Sequence, residues 1–131
     1  MASEKKIVPM KGRAWKFGDN VPTDSIVPTA VVQGTMEVIL PHVLADLKPE
    51  FPKGVKPGDI MVAGHHFGQS SGRGVASKAI AASGIVCIVA ESFARTFLRN
   101  SYEVGLPLLE CPGASDLAKD GDIVYLDLVK G

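Results

Sequence analysis

A mixed α/β fold is what this 131-residue sequence predicts, and three features carry that expectation. Ile85–Ala90 (IVCIVA) is apolar on both faces of an extended chain, the pattern of a buried parallel strand. Val75–Ala82 is alanine-rich with helical spacing, and Gly84 follows it as a helix-ending glycine. The second half then alternates strand, loop, helix, strand, helix, strand. Such βαβ units close with right-handed crossovers in nearly every case.

The elements follow in order. A strand is expected around Ala14–Phe17, turning through Gly18-Asp19-Asn20. Thr23 and Asp24 are turn or capping residues, whose side-chain oxygens bond nearby backbone N–H groups. Thr35-Met36-Glu37 starts a short helix, and Pro41 either interrupts it or begins a second turn over Pro41–Leu47. Lys48–Pro57 is a proline-punctuated connector, and Asp59–Ala63 (DIMVA) is a strand. Beyond Ile85–Ala90, Ser92 is placed to cap a helix running to Tyr102. Phe93, Phe97 and Leu98 lie on one side of it, and Arg95 and Arg99 on another. Leu106–Glu110 and Asp122–Leu128 supply the last strands. With no internal repeat or low-complexity linker, residues 1–131 make a single domain.

Composition narrows the function. Lys+Arg and Asp+Glu balance at 14 each, so nothing favours capture of nucleic acid or of an anionic membrane. No run of about 18 apolar residues occurs, so neither membrane insertion nor export is encoded and a cytoplasmic location is expected. Cys87 and Cys111 are unclustered, which suits a reducing compartment. Two cysteines cannot by themselves hold an iron–sulfur cluster or a structural zinc, so any cluster belongs to another chain.

The chemistry concentrates in HHFGQSSGRG, residues 65–74. A phosphate-binding P-loop closes on Lys-Ser or Lys-Thr, and no lysine occurs here before Lys78. Gly64, Gly68, Gly72 and Gly74 do not form the G-x-G-x-x-G dinucleotide pattern. His65 and His66 are adjacent, point apart on an extended segment, and have no H-E-x-x-H frame or cysteine pair nearby, so no metal site is assigned. A nucleophile elbow needs G-x-S-x-G, which Gly68-Gln69-Ser70-Ser71-Gly72 does not supply. Two readings stay open. Ser70, Ser71, Gly72 and Arg73 sit between a strand and a helix N-terminus, where free N–H groups and an arginine suit a carboxylate; the segment is equally readable as a glycine turn.

Three blocks of the sequence carry a family resemblance. GDNVPTDSIVP (18–28) resembles the GDNIDTDxIIP opening of the small subunits of 3-isopropylmalate isomerases and homoaconitases. VKPGDIMVAGHHFGQSSGRG (55–74) is similar to their strand followed by G-x-N-F-G-x-G-S-S-R-E, and IVAESFARTFLRNSYEVGLPLLE (88–110) to IAKSFARIFxRNAxNxGLPxLE. The blocks come in the family's order and spacing.

The resemblance implies a swivelling β/β/α domain of the aconitase C-terminal type. It implies the small subunit of a two-chain hydro-lyase, a heterodimer or heterotetramer, whose large partner holds a [4Fe–4S] cluster. The substrate is then a small hydroxy-acid such as 3-isopropylmalate or a related branched malate. Position by position, the first family serine falls on Ser71, a general base toward the proton alpha to a carboxylate. The family arginine falls on Arg73, a carboxylate clamp, while the second serine and the following glutamate fall on Gly72 and Gly74. Ser70 stands where the family has glycine, and supplies either the lost hydroxyl or, in a shifted loop, the base itself.

The family's substrate loop carries a Tyr-Leu-Arg segment, and the matching run here is Val31-Val32-Gln33-Gly34. Gln33 is thus the substrate-facing candidate there. The carboxylate contact of the lost arginine is either absent or made by Arg13 or another group. This points to a methyl-branched or smaller hydroxy-acid. The chain also ends at Lys130-Gly131, where relatives continue for another hairpin and helix. Arg95, Arg99 and Asn100 are expected as surface or loop-pinning residues, Phe93, Phe97 and Cys87 as core. Two other readings compete: a non-catalytic carboxylate-binding or regulatory module on the same fold, and a dehydratase subunit with a non-diacid substrate.

Overall fold

The computed structural model describes residues 10–28, 31, 34–69, 75–114, 121 and 123–126. Their strands are β1 (Met10–Lys16), β2 (Ile60–Ala63), β3 (Cys87–Ala90), β4 (Leu108–Glu110) and β5 (Ile123–Leu126). The helices are α1 (Thr23–Ile26), α2 (Met36–Ile39), α3 (Phe51–Gly54), α4 (Val75–Ala82) and α5 (Arg95–Glu103), with a 3-10 turn at Leu40–His42.

The strands form one sheet in the order β4-β3-β2-β1-β5. β1 to β4 run parallel, with Ala14 opposite Ile60, Ile60 opposite Cys87 and Ile88 opposite Leu108. β5 closes the far edge antiparallel to β1, Gly12 opposite Val124. Every residue of β2 and β3 is buried, as their unbroken apolar runs predict.

The helices cover one face. There Trp15, Phe17, Met61, Ala63, Ile88, Ala90 and Leu108 join one large core with Ile26, Ile39, Phe51, Ile80 and Phe97 from the helices. Phe51 is the hub, edge-on to Trp15 at 5.1 Å and to Phe17 at 5.8 Å between centroids. The alternate residues Ala14, Ile60, Val62, Cys87 and Val89 face the other way and pack with Ala114, Leu109 and Cys111. On the helical side Ser77 of α4 and Ser101 of α5 share a buried hydroxyl–hydroxyl bond of 3.0 Å.

Two local expectations need correction. Lys48–Pro57 is more than a connector, because α3 forms within it: Pro52 occupies the first turn, where its missing N–H costs nothing. Ser92 does not cap α5. That helix begins after Ala94 without a side-chain cap, and the Ser92 hydroxyl accepts a bond elsewhere. The expected ends of α4 hold, with Gly84 at φ 111° just past it.

Candidate active site

The four parallel strands all point their C-terminal ends at one edge, the edge where open α/β sheets place ligands. Three segments leave that edge side by side: Gly18–Thr23 after β1, Gly64–Gln69 after β2 and Glu91–Ala94 after β3. They extend the sheet through main-chain bonds. The Gly64 N–H donates to Gly18 O (3.1 Å), Asn20 N–H to His65 O (2.7 Å) and Gly68 N–H to Val21 O (2.7 Å). On the other side Glu91 N–H reaches Gly64 O (3.1 Å), Phe67 N–H reaches Ser92 O (3.1 Å) and Ala94 N–H reaches Phe67 O (2.9 Å). Isolated parallel bridges, Pro22 to Gln69 and Phe67 to Phe93, mark the same alignment.

Side chains complete the frame. The Asp19 carboxylate accepts from His65 N–H at 2.8 Å, and Ser92 Oγ accepts from His66 N–H at 2.9 Å. His66 adopts φ 56°, a left-handed conformation that is uncommon outside glycine, so its amide needs a partner off the regular ladder. Gly64 leaves no room for a Cβ because the Asp19 carboxylate occupies that space, and at Gly68 (φ 85°) a Cβ would run into the Phe97 ring. Phe67 meets Phe97 at 5.4 Å and Phe93 at 6.3 Å, anchoring the segment from below. Glu110 accepts from Phe93 N–H (3.2 Å) and Glu91 from Gly113 N–H (2.8 Å). Carboxylates at this edge hold backbone, while the side chains of His65, His66 and Gln69 stand exposed.

The sequence candidates Ser70, Ser71, Gly72 and Arg73, with Gly74 and Gln33, lie outside the described residues. Their flanks do not. The segment reaches Gln69, whose carbonyl accepts from Thr23 N–H at 2.9 Å, and α4 starts at Val75. The elements either side of Gln33, α1 and α2, both contact α4. Arg13 is a different case. Its Nη2 donates to Gly54 O at 2.6 Å and Asp59 Oδ2 at 3.3 Å, and its guanidinium stacks over Trp15 at 4.8 Å. Asp59 precedes β2, so Arg13 belongs to the opposite edge of the sheet and is spent there. It makes no carboxylate contact at this site. Arg95 and Arg99 are exposed on α5, while Phe93, Phe97 and Cys87 are core as expected.

Cys87 is fully buried, and desolvation pushes its thiol up to about 11, while Cys111 is half-buried beyond β4. Among the described residues no three His, Cys, Asp or Glu side chains converge to hold a metal ion.

Residues 47–113 match the family model of the aconitase C-terminal domain. The isopropylmalate/citramalate isomerase small subunit of Methanocaldococcus jannaschii is 47% identical over 123 residues, covering 93% of this chain and 73% of that protein. The chain belongs to the aconitase C-terminal domain family. The 3-isopropylmalate dehydratase small subunit of Halothermothrix orenii is 45% identical, over 93% of this chain and 74% of that one. Among solved structures, the 3-isopropylmalate dehydratase crystal structure from Methanocaldococcus jannaschii superposes with a TM-score of 0.86 at 46% identity, covering 94% of this chain and 73% of the other. A UPF0107 protein solved in solution shares the fold alone, at TM-score 0.54 and 13% identity, over 92% of this chain and 85% of that one. The family read from the three sequence blocks is therefore the family found, and its α/β fold is the one observed. Sequence reasoning missed the roles of Asp19 and Ser92. The signal available was a glycine at 64 following a strand, which asks what occupies the space of its missing Cβ.

Proposed function

We propose that this chain is the small subunit of a two-chain hydro-lyase that dehydrates, and in the reverse sense rehydrates, a hydroxy-diacid of the 3-isopropylmalate class. One observation carries the reading: identity of 44–47% across more than nine-tenths of the chain to small subunits of 3-isopropylmalate dehydratases and a related isomerase. The relative named for both isopropylmalate and citramalate supports a pocket open to a smaller, methyl-branched acid. The architecture suits the role, because the segment leading to the serines is delivered to the sheet edge where α/β proteins bind ligands.

In this reading Ser71 Oγ takes the proton alpha to a substrate carboxylate. Arg73 clamps that carboxylate and favours the ionised serine by its charge. Ser70, the Gly72 backbone and Gln33 complete the substrate contacts. The [4Fe–4S] cluster belongs to the large subunit, in a heterodimer or heterotetramer assembled in the cytoplasm. Residues 1–131 act as one swivel-type domain.

The test is reconstitution. The chain alone should be inactive, and the chain with a cluster-bearing large subunit should dehydrate isopropylmalate or citramalate. Ser71→Ala should lower kcat in that complex by about 10²–10⁴-fold, the range of a lost general base. Full activity in Ser71→Ala, with loss in Ser70→Ala, moves the base to Ser70; full activity in both removes the serine mechanism.

A further inference from the structure

The segment Gly64–Gln69 is the only described path into Ser70–Gly74 from the sheet, and both of its edges are held by one side chain from a neighbouring segment. We propose that Asp19 and Ser92 are a pair of positioning residues for the dehydration step, holding the His65 and His66 amides so that the chain enters the serine–arginine loop in one fixed direction. This rests on the function proposed above.

Three observations converge on the pair. First, the two bonds fall on consecutive amides and come from opposite sides: Asp19 Oδ1 on His65 N–H at 2.8 Å, Ser92 Oγ on His66 N–H at 2.9 Å. Anchors on two neighbouring amides from opposite sides fix the rotation of the segment as well as its position. Secondly, His66 sits at φ 56°. A non-glycine residue held there is sustained by its surroundings, and such conformations cluster where function requires a particular chain path. Thirdly, Gly64 has no space for a Cβ because the Asp19 carboxylate fills it, so the acid and the glycine are fitted to each other.

The burial of the pair argues against a purely structural part. Asp19 is exposed and Ser92 half-buried, and neither belongs to the apolar core. Removing either therefore leaves the packing of Phe67, Phe93 and Phe97 in place, and its effect falls on the direction of the segment. Catalytic geometry is sensitive to such change, since a misplacement of about 1 Å can cost about 10²-fold in rate.

The experiment has two arms. In the full chain, amide hydrogen exchange should accelerate about tenfold at His65 in Asp19→Ala and at His66 in Ser92→Ala, with Ile60–Ala63 of β2 unchanged. In the complex with the large subunit, each alanine variant should lower kcat by about 10–100-fold with KM within about threefold. Asp19→Asn, which keeps the acceptor oxygen, and Ser92→Thr, which keeps the hydroxyl, should restore most of the rate. A structural defect alone would show as lost protection in β2 and would not be rescued in kcat by Asp19→Asn. Unchanged exchange at both amides overturns the pair. Accelerated exchange with unaltered kcat overturns the positioning role. A wild-type complex without dehydratase activity overturns the function proposed above, and the exchange arm then decides the pair by itself.

Discussion

The two ends of the parallel sheet differ in what reinforces the main chain. Where β2 begins, one buried side chain gathers its neighbours: Asp59, only 6% exposed, accepts through one oxygen from Trp15 Nε1 at 2.8 Å, Lys56 N–H at 2.9 Å and Arg13 Nη2 at 3.3 Å. Arg13 also ties α3 to β1 through Gly54 O. Where β2 ends, the main chain does most of the holding, and His65, His66 and Gln69 project outward. The difference teaches where variation is tolerated. An end held by a buried carboxylate with three donors loses several bonds with one substitution. An end zipped through N–H and C=O groups keeps its shape whichever side chains stand at His65, His66 and Gln69, with Asp19 and Ser92 as its side-chain anchors.

The largest expected effect tests the first end. Asp59→Ala strands the Trp15 indole N–H and the Lys56 amide and leaves Arg13 without its carboxylate, and should cost about 3 kcal/mol in urea unfolding. The rate per folded complex should not change. A loss below about 1 kcal/mol, or a lower rate, would break the contrast between the ends. Next comes Gly68→Ala at the other end. The left-handed φ of 85° and the Phe97 ring together should cost about 2–3 kcal/mol, and here activity should fall with stability because the segment itself shifts.

The smallest effect is one of pH. Cys87 stands opposite Ile60 at the β2-start end, and its thiol is raised from 9.0 to about 11 by burial. The unfolded chain releases that proton above about pH 9 while the folded chain keeps it, so the unfolded state binds fewer protons and stability falls as pH rises. The contribution is complete below about pH 9 and lost by about pH 11. Cys87→Ala should flatten the stability curve over that window in denaturant titrations; an unchanged slope would show that other groups set it.

Much of the scaffold was legible in the sequence because it depends on periodicity. The apolar runs of β2 and β3, and the alanine-rich spacing of α4 with Gly84 behind it, express burial patterns that tertiary contacts only reinforce. α3 was not legible, since Pro52 reads as a breaker unless it is known to lie in a first turn. Ser92 was assigned to a cap because hydroxyls before helices usually cap. Its real partner, the His66 amide, lies 26 residues away in sequence and appears only once β2 and β3 are paired. Arg13 was considered for a substrate carboxylate because charge is visible in a sequence; the buried Asp59 that engages it becomes a neighbour only through the parallel register of β1 and β2. Ser70–Arg73 and Gln33 were named from motif alignment alone, which assigns roles by position and carries no geometry.

The pairing of β1 with β5 has a consequence for how the chain is made. Met10 lies opposite Leu126, so one edge of β1 can be covered only after nearly all of the described chain has been synthesised. At translation rates of about 5–20 residues per second, that edge waits on the order of 10 s with open N–H and C=O groups. The other edge is covered earlier, when β2 arrives. A nascent chain of this topology therefore passes through a stage in which β1 is a template for the wrong neighbour, and its yield in a cell depends on how quickly β5 reaches it.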